Sequence, residues 1–173
     1  DQWVFAFNNL AIAPQPSALS FLGYSHNEHR IITTQFIEKF GLWWNGYYDV
    51  RVTLVASASI RALNAAFAFS LLSGASRASR FWAWVSCFVV FAIPYSGYNA
   101  LNGMQVSFYF VDLAMLFSVW LVLNWPPHQS LKYLVLFVGA NLFGLLSFSQ
   151  AVLIPAATLV VHIGSRRRRP GFF

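Results

Sequence analysis

Residues 50–73 read VRVTLVASASIRALNAAFAFSLLS. A helix rises about 1.5 Å per residue, so this stretch is long enough to cross a hydrocarbon core of about 30 Å. Two more stretches, 81–98 and 104–124, cross or nearly cross the same thickness. Residues 132–148 and 150–163 are shorter and meet at Ser147–Gln150 (SFSQ), with Pro155 just beyond. They are expected to be two short helices, tilted or partly re-entrant, joined within or near the membrane where other protein covers the backbone. The fold expected is all-α: a polytopic transmembrane helical bundle of about five spans.

Composition agrees. The chain is 58% apolar and 18% aromatic, and only 9% of it is charged, against roughly 25% in a soluble domain. The net charge of +6 does not indicate nucleic acid, because four of the eleven basic residues form one run, Arg166–Arg169, directly after an apolar segment. That placement suits a cytoplasmic anchor under the positive-inside rule. The single cysteine, Cys87, lies in an apolar run and rules out a disulfide framework. The chain opens on Asp1, and its first basic residue is Arg30; a fragment preceded by a further span is expected.

Orientation follows from the cations. Arg77, Arg80, Lys132 and the arginine run all fall on one side if the spans alternate. That side is cytoplasmic, residues 164–173 included, and residues 1–49 with the 95–105 connection are external, which in a bacterium means periplasmic. The expected organisation is an external loop with an interfacial helix over 1–49 and a helical bundle over 50–173, in the inner membrane.

Within the loop, Ile31, Ile32, Phe36, Ile37 and Phe40 recur at helical spacing while Thr33, Thr34, Gln35, Glu38 and Lys39 fill the other face. The pattern predicts a surface helix over 27–41, with Trp43, Trp44, Tyr47 and Tyr48 as interfacial anchors. Ser25-x-x-Glu28 matches a capping box. Capping explains neither His26, nor His29, nor Arg30. His26 and His29, three apart, could hold a divalent metal with Glu28 or a distant carboxylate as third ligand, though no HExxH pattern is present. Acid–base chemistry suits the group better: Glu28 or Asp1 could take a proton from an acceptor while Arg30 and a histidine hold an anionic leaving group.

Inside the spans, Arg61 lies near the middle of the first and Asp112 at comparable depth in the third. Each is costly alone in lipid, so an Arg61–Asp112 ion pair is expected, either as an interhelical staple or as part of a proton or ion pathway. Ala58, Ala62, Ala66 and Ser70 recur every four residues and suggest a packing seam. Turn chemistry accounts for Gly97, Asn99, Asn102 and Gly103, whereas Gln105 at the membrane entrance of the third span is a candidate for the polar head of a ligand.

The order DQWVF, then HNEHRI leading into a surface helix, then NGMQVSFYF at a later span resembles a group of bacterial multi-pass membrane proteins similar to the GT-C class of glycosyltransferases. The resemblance covers most of the chain. It implies an acidic catalytic residue in the first external loop and a polyprenyl-phosphate-linked sugar donor. Carried over, it implies Asp1 as first candidate base and Glu28 as second, with His26, His29 and Arg30 as phosphate or sugar contacts. Typical members have many more spans. Trp3, Trp43, Trp44, Tyr47 and Tyr98 could stack on sugar, although an aromatic belt supplies the same residues. The functions expected are a transferase of lipid-linked sugar on the external face, a transporter or channel subunit using Arg61 and Asp112, or a membrane assembly protein without chemistry.

Overall fold

The computed structural model describes residues 25–26, 29–30, 32–73, 77–92, 105–124 and 130–167. Two minimal strands, β1 (Ser25–His26) and β2 (His29–Arg30), pair antiparallel with Ser25 opposite Arg30 and His26 opposite His29. Everything else described is helical or connects helices. In order come α1 (Ile32–Asn45), α2 (Val50–Leu72), α3 (Arg77–Cys87) running into a π-helical turn (Phe88–Ala92), α4 (Val106–Leu123), α5 (Ser130–Ser147), a short 3₁₀ turn (Ser149–Leu153) and α6 (Ile154–Arg167). Two of these, α2 and α4, are long and apolar enough to cross a membrane, and the other apolar helices are shorter.

The hairpin corrects the expected surface helix. Ser25 and His26 are extended and paired, so the chain is not helical until Ile32 and Ser25 cannot cap a helix that begins there. The helix instead runs on to Asn45 and takes in Trp43 and Trp44. It stops at Gly46, whose φ of 72° suits a residue without a side chain; its N–H donates to the Leu42 carbonyl at 2.9 Å. Helix α2 begins on a genuine cap, with the Asp49 carboxylate accepting from the Arg51 N–H at 3.0 Å and from Arg51 Nε at 3.0 and 3.2 Å. Those bonds hold the Asp49 carboxyl below its usual pKa range.

Helix α4 is the hub, packed against α2, α5 and α6. It runs parallel to α2: Asn64 Nδ2 donates to the Tyr109 carbonyl at 2.8 Å, and further along Phe67 meets Phe117 with ring centroids 6.5 Å apart. It runs antiparallel to α5, through Phe108–Phe148 (4.5 Å), Phe110–Phe143 (5.4 Å) and an Asn141 Nδ2 to Ser118 Oγ contact of 3.4 Å. The chain turns back after α5 at Phe148, which is extended, and the following turn packs Ala151 and Ile154 against Ala114, halfway along α4. Pro155 is harmless there, because the first turn of α6 leaves its N–H groups without helical partners.

Burial is inverted relative to a soluble protein. Thr34, Gln35, Thr53, Asn64, Ser107, Ser118 and Thr158 are buried, while Val55, Leu63, Val135, Leu142, Val152 and Val160 are exposed. An apolar exterior of this extent calls for a lipid or protein environment. The seam expected at Ala58, Ala62, Ala66 and Ser70 is not the buried stripe of α2: those four residues are exposed, and Thr53, Ser57, Asn64 and Ala68 are buried instead. Helix α4 approaches on the side where Asn64 can reach a backbone carbonyl, which leaves the alanine face outward.

Candidate functional site

Helix α1 turns its faces the same way round. Its buried residues are Thr34, Gln35, Glu38 and Gly41, a single stripe at helical spacing. Trp43 and Trp44 are 75% and 72% exposed, and Phe36 and Phe40 are exposed with them. Phe40 stacks on Trp44, with ring centroids 6.0 Å apart. The polar face thus points into the protein, onto α2 and the ends of α4 and α5. Gly41 allows the closest approach, since a Cβ there would lie 2.9 Å from Val52 Cγ1.

Tyr48 follows the helix and turns its hydroxyl toward Glu38. Burial, reinforced by the Glu38 carboxylate, pushes the phenol up from 10.0 to about 12. The folded protein therefore holds a proton that the unfolded chain releases above pH 10. The stability this confers is complete below about pH 10 and is lost as pH rises toward 12. The thermal midpoint of the wild type should fall more steeply between those values than that of Tyr48→Phe; identical slopes in a pH series of melts would show that Tyr48 does not titrate in this way.

The second feature is a groove between α2 and α3, of about 610 Å³, running from Leu54 to Phe69 and closed at one side by Tyr109. The fifteen helical rises from Leu54 to Phe69 make it roughly 22 Å long. Trp84 and Phe88, stacked at 5.4 Å, form part of its wall. Its one charged lining residue is Arg61, whose guanidinium carbon lies 5.9 Å from the centre of the Tyr109 ring, within cation–π range. Ser57, one turn away on the same helix, also lines the groove, and its buried hydroxyl has no hydrogen-bond partner. A smaller groove of about 410 Å³ between the far ends of α4, α5 and α6 is apolar apart from Thr158 and His162. The Thr158 hydroxyl is already engaged with the Ile154 and Pro155 carbonyls at 3.0 and 2.9 Å.

The expected Arg61–Asp112 ion pair is not formed, whereas Arg51 and Asp49 do pair, at 3.0 Å. Register is the reason. Asn64, not Arg61, stands beside Tyr109. In parallel helices Arg61 then lies three residues to one side and Asp112 three to the other, an axial offset of about 9 Å. The guanidinium reaches the Tyr109 ring instead.

Asp1 and Glu28 lie outside the described residues, as do the side chains of His26, His29 and Arg30. Their backbones show that His26 and His29 face each other across the hairpin and that β2 lies against α5. Gln105 immediately precedes α4, and its side chain makes no capping bond. Among the described residues no three His, Cys, Asp or Glu side chains gather as a metal site. Sequence reading missed Gln35 and Asn64. Gln35 was legible only as part of a polar face; Asn64, an amide inside an apolar span, was a signal of the kind that marks an interhelical bond.

No family model, curated protein or solved structure matches this chain.

Proposed function

We propose that this chain is a multi-pass membrane protein of about five spans that binds a polyprenyl-phosphate-linked sugar, as a glycosyltransferase of the external face or part of one. The observation that carries the reading is the groove with Arg61 in its wall. A lipid-linked donor requires an apolar channel for its tail and a cation for its phosphate. The α2–α3 groove offers roughly 22 Å of apolar wall, and Arg61 offers a planar donor fork suited to phosphate oxygens. The external hairpin carrying His26, His29 and Arg30 lies against α5 and would meet the sugar end, with Asp1 or Glu28 as the base that activates the acceptor.

The test is equilibrium binding of a polyprenyl-phosphate sugar to the purified full chain in nanodiscs. Saturable binding, displaced by polyprenyl phosphate and indifferent to the water-soluble sugar phosphate, is the expected result. A folded protein that binds no donor overturns the reading. Where donor binds, Glu28→Gln and Asp1→Asn should retain affinity and lose transfer; unchanged transfer in both removes them as bases.

A further inference from the structure

The smaller of the two grooves has no part in donor binding. Helices α5 and α6 both pack on α4, and they leave about 410 Å³ between them, walled by Val122 in the last turn of α4, Leu134 and Phe137 of α5, and Leu159 of α6. Leu134 and Leu159 are 48% and 58% exposed, so the groove opens sideways, toward whatever surrounds the bundle. Such a wall favours hydrocarbon over water. No acidic side chain lines it. From Pro155 to His162 it follows α6 for seven rises, roughly 10 Å. The lining positions of that helix, 155, 158, 159 and 162, form one stripe at helical spacing, and position 166 continues the stripe one turn farther, where the run Arg166–Arg169 begins. An apolar groove at the end of a span thus leads, within about 6 Å along the helix axis, to four consecutive arginines.

From this continuity of groove and charge we infer that the α4–α5–α6 groove binds an anionic diacyl phospholipid, one acyl chain lying against Leu134, Phe137 and Leu159 and the phosphate meeting the arginine run where it begins, at position 166. Charge decides against a zwitterionic lipid. Phosphate oxygens pair with a guanidinium in either case, but a basic run at the end of a span is matched by a headgroup of net negative charge, not by one that carries its own ammonium. Charge also decides against a second copy of the chain, because a two-fold contact on this face would bring the same arginines together. Position separates the site from the proposed donor. Helix α1 meets the start of α2, with Gly41 against Val52, and α4 runs parallel to α2, so Val122 lies at the opposite end of the bundle. Lys132 supplies a control: it stands two residues from Leu134, hence on the side of α5 away from the groove.

The inference rests on the membrane reading of the fold and not on the transferase, and its test involves no donor. The purified full chain in a neutral detergent is titrated with dioleoylphosphatidylglycerol or dioleoylphosphatidylcholine, and bound lipid is counted by native mass spectrometry. Retention of phosphatidylglycerol roughly tenfold tighter than that of phosphatidylcholine is expected. Arg166→Ala should weaken phosphatidylglycerol about fivefold and leave phosphatidylcholine level, while Lys132→Ala changes neither. Leu159→Trp, which fills the groove, should weaken both lipids, with circular dichroism as the check on folding. Equal retention of the two lipids by the wild type overturns the site, as does a preference that Lys132→Ala reduces as much as Arg166→Ala. A dimer that persists without lipid and excludes phosphatidylglycerol makes the groove a contact between copies and overturns it too. If Leu159→Trp fails to fold, the comparison of Arg166→Ala with Lys132→Ala decides alone. A chain that needs detergent but retains no phosphatidylglycerol sinks the site and spares the membrane reading; a chain that stays monodisperse in plain buffer overturns both.

Discussion

Gly144→Leu is expected to lower the thermal midpoint sharply and to loosen the return of the chain after α5. A Cβ built at Gly144 would lie 3.0 Å from Ala151 Cβ, 3.1 Å from Ile154 Cδ1 and 3.3 Å from Ala114 Cβ. The isoleucine methyl can swing aside. The two alanine carbons are fixed to backbone, and Ala114, Ala151 and Ile154 form the small buried apolar core. Larger side chains forced into a filled core typically cost 1–3 kcal/mol. Gly139, on the same helix, has nothing within 4 Å of its would-be Cβ. Gly139→Ala should therefore gain helix propensity, about 1 kcal/mol in a helix interior, with no clash to offset it. Melting both variants in nanodiscs beside the wild type makes the comparison internal. A Gly144→Leu midpoint equal to that of the wild type would mean that the α5–α6 turn does not pack on α4 as described.

The helices were legible in the sequence where length and apolarity speak together. The stretches read at 50–73 and 104–124 became α2 and α4 almost to the residue, because a lipid-length apolar run has few other solutions. The hairpin at Ser25–Arg30 was not legible: two residues per strand leave no alternation to read, and Ser25-x-x-Glu28 imitates a capping box. The amphipathic pattern of α1 gave the two faces correctly, but periodicity says only that the faces differ. Which one the protein keeps depends on the surroundings, and here Gln35 and Glu38 are inside while Trp43 and Trp44 are outside. The Arg61–Asp112 pairing failed for a different reason. Depth within a span can be estimated from residue counts, yet the relative slide of two helices is set by contacts such as Asn64 to the Tyr109 carbonyl, and no single-sequence rule gives it.

That slide leaves Arg61 in the groove wall beside Tyr109, and it yields the prediction with the largest effect on binding. Arg61→Ala should weaken the polyprenyl-phosphate donor by roughly 10- to 150-fold, the range expected from losing a charged hydrogen bond worth about 1.5–3 kcal/mol. Arg61→Lys separates two contributions. It keeps the charge and loses the planar fork and the stacking on Tyr109, so its affinity should fall between wild type and alanine. The measurement is donor titration in nanodiscs, with a neutral polyprenol as control for tail binding. If the polyprenol binds equally well to all three proteins and only the phosphate form discriminates, Arg61 reads the phosphate. Undiminished donor affinity in a folded Arg61→Ala would leave the groove as a tail channel only, and the phosphate would then have to be sought at Arg30 on the β1–β2 hairpin.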